Sequence, residues 1–103
     1  MSSPTDALAD ILDQLARLLE QAGERQWSLR IRDDLHFLRR GDTYGAERYL
    51  TYFGGMGSLN DLWLCELNGH TVPKASESRT NEELDRLRST SWKLAQEAIG
   101  GLV

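Results

Sequence analysis

The chain contains few of the residues that carry catalytic or metal chemistry. Its 103 residues include one cysteine, Cys65, and two histidines, His36 and His70. A single cysteine excludes an internal disulfide, and one cysteine with two histidines supplies too few ligands for a zinc site. The metal-binding patterns His-Glu-x-x-His and Cys-x-x-Cys are absent as well. The sequence therefore predicts no metal site and no cofactor.

Long apolar runs and an excess of basic residues are also missing. No apolar run approaches the roughly 18 residues of a membrane span, and the polar start of the chain has no signal-peptide core. Twelve Lys and Arg residues against sixteen Asp and Glu residues give a net charge of -4, which argues against nucleic-acid binding. Together with the lone cysteine, these absences predict a cytoplasmic protein with neither a membrane nor a nucleic-acid partner.

Apolar residues make up 40% of the chain and recur at the spacing of amphipathic helices. Capping signals divide them into four helices. The first begins at Pro4 behind Ser3 and ends at Gly23, and the second extends from about Glu24 to Arg40. A short third begins after Asp42 and extends to Phe53, and a fourth opens with the capping box Thr80 to Glu83 and ends at Gly100 and Gly101.

The fold predicted from these helices is a mainly α, four-helix single domain over residues 1–103. Its expected core consists of Leu12, Leu15, Leu19, Trp27, Ile31, Leu35, Leu38, Tyr49, Phe53, Leu84, Leu87 and Ala95. Leu102 continues the buried face of the fourth helix, and Tyr44 is expected on the inner side of the third. The second helix carries a basic outer face, which we interpret as a solvated surface whose arginines pair with acids of the first helix.

The apolar run Leu62 to Leu67, followed by Asn68-Gly69 and a second short run, predicts a β-hairpin over residues 62–72. Asn-Gly between two such runs is the strongest local hairpin signal. A helical turn capped by Ser58 is expected to lead into this hairpin. In the alternative, the helix capped by Ser58 continues to Asn68-Gly69.

The glycine-rich segment 54–57 is the one stretch that helical packing does not explain. Several glycines cost folding entropy, so we expect Gly55 or Gly57 to hold φ > 0. Glycines leading into a helix start suit an anion or a partner's carboxylate, and also suit a plain tight corner. We expect the Asn60 and Asp61 side chains to bond backbone groups of the turn. The candidate binding residues are Tyr52, Gly54, Gly55, Met56, Gly57, Ser58, Asn60, Asp61 and Trp63.

Catalysis has weaker support in the sequence. Ser58, Asp61 and His70 would form a shallow hydrolase-like site only if the fold brought His70 back to Asp61, and we expect His70 in an exposed turn. Cys65 lies in an apolar run, which favours a packed, inert thiol. The segment Gly54 to Ser58 lacks the lysine and the strand context of a phosphate-binding loop. No catalytic residue is predicted.

The string Gly54 to Leu62, followed by Asn68-Gly69-His70 and a C-terminal helix, resembles a family of small bacterial proteins classed as a domain of unknown function. The resemblance extends from Trp27 to Leu94 and implies no catalytic residue. In size and acidity the chain is also similar to bacterial immunity proteins, which bind and neutralise a toxin.

We therefore expect a non-enzymatic protein-binding module, in its most concrete form an immunity protein with a basic toxin as partner. A small-ligand or anion-binding domain using the turn Gly54 to Asp61 is the first alternative, and an enzyme is the second.

Overall fold

The computed structural model describes residues 3–54 and 56–100 of the chain. Gly55, Gly101 and Leu102, which carry predictions made above, lie outside these ranges. Within them the fold is all-α, with four helices and no strand. The helices are α1 (Pro4–Gln21), α2 (Arg25–Arg39), α3 (Tyr44–Leu50) and α4 (Glu77–Ala98). Helix α1 packs against α2 and α4, and the short α3 also packs against both α2 and α4.

The first two helices begin and end close to the predicted residues. Ser3 caps α1 by accepting a hydrogen bond from the Asp6 N–H at 3.1 Å, and Pro4 occupies the first turn. Gly23, with φ +79°, reverses the chain after α1. Glu24 caps α2 through the Trp27 N–H. Arg32 on the outer face of α2 contacts Asp13 of α1 at 2.6 Å, as interpreted from the charge pattern.

The core contains ten of the twelve residues predicted for it, while Trp27 and Phe53 are only partly buried at its edge. Sequence reasoning missed several other buried side chains, among them Leu8, Leu59, Leu64 and Val72. Leu59 and Leu64 come from the connection between α3 and α4. Part of this connection is therefore packed into the core, although other parts of it are exposed.

The predicted β-hairpin over residues 62–72 is wrong. Asn68-Gly69 does reverse the chain, with Gly69 at φ +86°, but through a 3-10 turn, Glu66–Asn68. The flanking backbone groups are bonded elsewhere. The Leu64 N–H and C=O pair with the Asn81 side chain at 2.8 Å each, and the Thr71 N–H donates to the Ala22 carbonyl at 2.9 Å. Because contacts with α1 and α4 satisfy these groups, strand pairing is unnecessary.

Three further local predictions are also corrected. The capping box Thr80 to Glu83 lies inside α4, which begins at Glu77 behind a 3-10 turn, Lys74–Ser76. Ser58 makes no cap hydrogen bond to the single 3-10 turn that follows it, Leu59–Asp61. Tyr44, expected on an inner face, is half exposed. The first two corrections concern the ends of elements, which local capping signals place only approximately.

Candidate functional site

The base of the glycine-rich turn is fixed to the rest of the fold. Leu59 is fully buried, and its N–H donates to the Tyr52 carbonyl at 2.9 Å. The buried Arg88 guanidinium, from α4, donates to the carbonyls of Leu59, Asn60 and Leu62 at 2.9, 3.2 and 3.0 Å. One guanidinium thus bonds three backbone carbonyls of an irregular segment. Because residues 59–62 are fixed in this way, the positions of residues 56–58 just before them are restricted as well.

The Asp61 carboxylate forms a hydrogen bond with a backbone amide inside the turn. Gly57 has φ +77°, as predicted, and its N–H donates to the Asp61 Oδ2 at 3.0 Å. The Asp61 side chain therefore bonds the turn as expected, whereas that of Asn60 forms no hydrogen bond with any residue of the described ranges. A carboxylate already occupies the amide that an anion would use, and a second negative charge there would be repelled.

The outer surface of the turn is apolar and exposed. The Met56 side chain is 98% accessible, and that of Trp63 is 46% accessible, with its indole N–H 3.3 Å from the Glu77 Oε2. We call the four residues Met56, Gly57, Ser58 and Trp63 the turn surface. Exposed methionine and tryptophan beside a fixed backbone are typical of protein-binding surfaces.

A groove of about 820 Å³ lies on one side of the turn, between α2 and α3. Its walls include Trp27 and Arg30 of α2, Tyr44 and Arg48 of α3, and Met56. We call it the arginine groove. The Arg30 guanidinium stacks over the Trp27 ring, 4.7 Å from its centroid. The groove thus combines aromatic faces with two guanidinium groups.

A buried carboxylate lies behind the arginine groove. Asp34 is fully buried, and its Oδ1 is 3.1 Å from the Arg48 Nε. The Tyr52 hydroxyl is close to the same carboxylate, but no hydrogen bond of good geometry is formed by either group. Burial raises the pKa of Asp34 to about 6, against the opposing effects of Tyr52 and the Arg48 charge. Burial likewise raises the pKa of Tyr52.

A second, smaller cavity of about 280 Å³ also borders the turn and brings together the three residues of the enzyme hypothesis, Ser58, Asp61 and His70. His70 is buried and not exposed as predicted, because the reversal at Gly69 turns its ring inward. Its Nδ1 accepts from the Cys65 N–H at 3.2 Å, and its Nε2 lies 3.1 Å from the Glu24 Oε1.

Both nitrogens of the His70 ring are therefore occupied. The Cys65 N–H fixes the tautomer, so Nε2 carries the proton that Glu24 accepts. Neither nitrogen is left to take a proton from Ser58, whose buried Oγ has no hydrogen-bond partner. A general base must lie within hydrogen-bond reach of its substrate's proton. The geometry favours a structural role, in which His70 ties the 65–70 turn to the start of α2.

The predicted binding residues do converge on one side of the fold, around the turn. Tyr52, Gly54, Met56, Gly57 and Ser58 line the arginine groove, and Asp61 and Trp63 line the small cavity. Asn60 instead lines a third pocket against α4. Gly55 lies outside the described residues.

Sequence reasoning missed four charged residues that lie in or directly behind this candidate site: Arg30, Asp34, Arg48 and Arg88. All four lie on helices, where a charged residue is usually exposed to solvent. The sequence could have indicated their positions only through their place around the helix relative to the buried face. Asp34 precedes Leu35 and follows Ile31 by three residues, which places it on the buried face of α2.

Within residues 3–54 and 56–100, no three His, Cys, Asp or Glu side chains converge as a metal site would require. None of the helices in these ranges combines the length and apolarity needed to cross a membrane.

Comparison with known proteins identifies a family but no characterised relative. The chain matches the model of DUF6966, a domain of unknown function, over residues 20–73. No curated protein and no solved structure matches it. The match contains α2, α3 and the turn surface but ends before α4, short of the resemblance expected to Leu94. Because the model covers more than half of the chain, the protein belongs to the DUF6966 family.

Proposed function

We propose that this protein acts by stoichiometric binding of another protein through the turn surface, without turnover. The observation that carries the proposal is the contrast between the exposed Met56 and the fixed backbone that follows it. Leu59 is buried in the core while Met56, three residues earlier, is almost fully exposed. A rigid support lowers the conformational entropy lost on binding, and an apolar side chain held in water gains most from being covered.

In its concrete form, the proposal is that the protein is a cytoplasmic immunity protein that covers the active site of a basic toxin. The acidic surface supports only part of this idea. Asp13 and Glu20 pair with Arg32, Glu83 pairs with Arg86, and Asp85 pairs with Arg88. Asp10 and Glu82 form no ion pair with any residue of the described ranges. These two carboxylates are therefore among those whose charge remains available to attract a basic partner.

The alternatives have less support. Small-anion binding at the turn Gly54 to Asp61 is disfavoured because Asp61 bonds the Gly57 amide. Hydrolysis by Ser58, Asp61 and His70 is disfavoured because both ring nitrogens of His70 are bonded elsewhere.

Co-expression tests the proposal directly. Each gene next to the one encoding this chain is induced alone and together with it, and growth is measured. We expect one product to be toxic, the pair to restore growth, and the purified pair to form a 1:1 complex by calorimetry. Met56→Ser and Trp63→Ala should each weaken the complex by about tenfold or more, since truncated interface anchors commonly cost over 1 kcal/mol.

Matched controls separate the turn surface from general loss of apolar area. Trp92 on α4 is 42% accessible, close to the value for Trp63, and Leu29 on α2 is 61% accessible. Trp92→Ala and Leu29→Ser should bind the toxin normally. Equal losses in all four variants would contradict a specific surface. If no neighbouring product is toxic and none forms a complex, the immunity proposal fails.

Reversal of Asp10 and Glu82 to Lys should slow association and reduce its salt dependence.

A further inference from the structure

Arg30 is held in the arginine groove without an anionic partner. Its guanidinium stacks on Trp27 at 4.7 Å and forms neither an ion pair nor a hydrogen bond with the residues that the structure describes. Stacking fixes the plane of the group but leaves its N–H donors available. A guanidinium presents those donors in a fork that matches a carboxylate.

Arg48 faces the same groove and is held from behind. Its Nε lies 3.1 Å from the Asp34 Oδ1, and its guanidinium lies over the Phe37 ring at 5.5 Å. The terminal nitrogens form no hydrogen bond of good geometry with any described residue, and the Tyr52 hydroxyl lies close to the guanidinium. A fully buried carboxylate lowers folding stability unless its charge is well paired. Asp34 therefore positions the Arg48 guanidinium at a cost in stability. That cost is consistent with selection for the position of the Arg48 guanidinium.

The remaining walls determine which anion would fit. Tyr44 is half exposed and Met56 is almost fully exposed, so the groove offers apolar area next to the guanidinium groups. Glu47 also lines it and is exposed, which lowers the local positive potential. A free inorganic anion would gain little from this mixture. A carboxylate attached to an apolar segment would gain both the forked hydrogen bonds and the covered area.

From this arrangement we infer that the arginine groove binds an acidic side chain of the protein partner, presented next to an apolar residue. The inference rests on the proposed function only in taking the partner to be a protein. It adds the chemistry of the contact. This protein carries a net negative charge, yet the partner's segment that enters the arginine groove is also acidic. The two arginines then select for that segment against neutral ones.

The probe is a capped peptide, acetyl-Glu-Phe-Glu-amide, added to the full chain and followed by two-dimensional NMR. We expect saturable shifts of the Trp27 indole and the Thr51 amide, both in the groove. Acetyl-Gln-Phe-Gln-amide, which has the same shape without charge, should bind at least about tenfold more weakly, as a charge-assisted pair would require. Equal binding of the two peptides, or shifts confined to other surfaces, would overturn the inference.

Two arginine variants provide a matched pair. Arg30→Gln should lower affinity for the acidic peptide by about tenfold. Arg79→Gln removes the same charge from an exposed position on α4 away from the groove, and should leave affinity unchanged. Arg30 is exposed, so its substitution should not unfold the protein, which circular dichroism verifies. Similar losses in both variants would show only a general charge effect and would overturn the inference.

Inorganic phosphate gives the last comparison. Phosphate that saturates the same signals as tightly as the peptide would overturn the requirement for an apolar neighbour. The outcome is also separable from that of the proposed function. Loss of toxin binding in Met56→Ser with no peptide binding would leave the turn surface intact as a proposal and remove only the groove inference. In the opposite outcome, Arg30→Gln abolishes peptide binding while Met56→Ser and Trp63→Ala bind the toxin fully. That result would keep the groove inference and remove the turn surface as the binding site.

Discussion

The helical body and the α3–α4 connection are stabilised in different ways. In the body, formed by α1, α2 and α4, leucines and alanines at helical spacing pack against one another. In the connection, residues 51–76, two buried polar side chains of α4 bond to irregular backbone: Asn81 to Leu64, and Arg88 to Leu59, Asn60 and Leu62. Apolar packing is non-directional and tolerates small shifts, whereas a side chain bonded to three carbonyls permits one arrangement. The proposed binding surface lies on the part with the stricter geometry.

The largest effect should come from a cavity in the body. Leu15 is fully buried in α1, so Leu15→Ala removes its methyl groups and leaves a space that neighbours fill only in part. We expect the free energy of unfolding to fall by about 2–5 kcal/mol. Urea denaturation followed by circular dichroism measures it. A loss below that range would mean that the body relaxes around the cavity and is less tightly packed than its burial indicates.

A comparable but smaller loss should follow when the connection loses its main anchor. Arg88→Met keeps the aliphatic stem and removes the donors to three carbonyls, so stability should fall by roughly 3 kcal/mol. Trp63 fluorescence should also change, since Leu62 is one of the bonded residues. Arg86→Met is the control, because Arg86 is exposed and its ion pair among the described residues is with Glu83; it should lower stability far less than Arg88→Met. Equal effects would remove the distinction between the two regions.

Asp34 lies where the two regions meet, and its effect depends on pH. Its pKa is about 6 in the folded protein against 3.8 normally, so the folded state holds the proton more tightly. Stability from this group is present below pH 4 and is lost as pH rises through 6. Asp34→Asn should therefore be more stable than the native protein at pH 7 by on the order of 2 kcal/mol, with the difference vanishing near pH 4.

The difference between native protein and Asp34→Asn is the quantity to measure, since other carboxyl groups titrate equally in both. Thermal denaturation at several pH values from 4 to 7 provides it. A difference that does not vary over this range would show that Asp34 is not the buried, poorly paired acid inferred here.

The sequence predicted the body well and the connection poorly, for physical reasons. Leu12, Leu15 and Leu19 reveal their burial through spacing alone, because one helix face must be covered. Nothing in the spacing of Asn81 or Arg88 reveals that each reaches across to Leu64 or Leu59. Asn68-Gly69 correctly marked a reversal, but the partners of the flanking backbone come from distant helices, which local signals cannot identify. The candidate site was found through its glycines and its exposed apolar residues, while its arginines were missed.

The smallest expected effect concerns the turn itself. Gly57 has φ +77°, and a Cβ there would meet no other atom within 4 Å, so only backbone conformation opposes a larger residue. Gly57→Ala should lower stability by roughly 1 kcal/mol. Gly45→Ala is the contrasting variant, since its Cβ would lie 2.4 Å from the Asp34 carbonyl oxygen and force α3 away from α2. Because the Gly57 substitution strains the turn that presents Met56, it should weaken partner binding more than its small stability cost implies. An unchanged melting temperature together with unchanged affinity would mean that the left-handed conformation at Gly57 serves neither stability nor recognition.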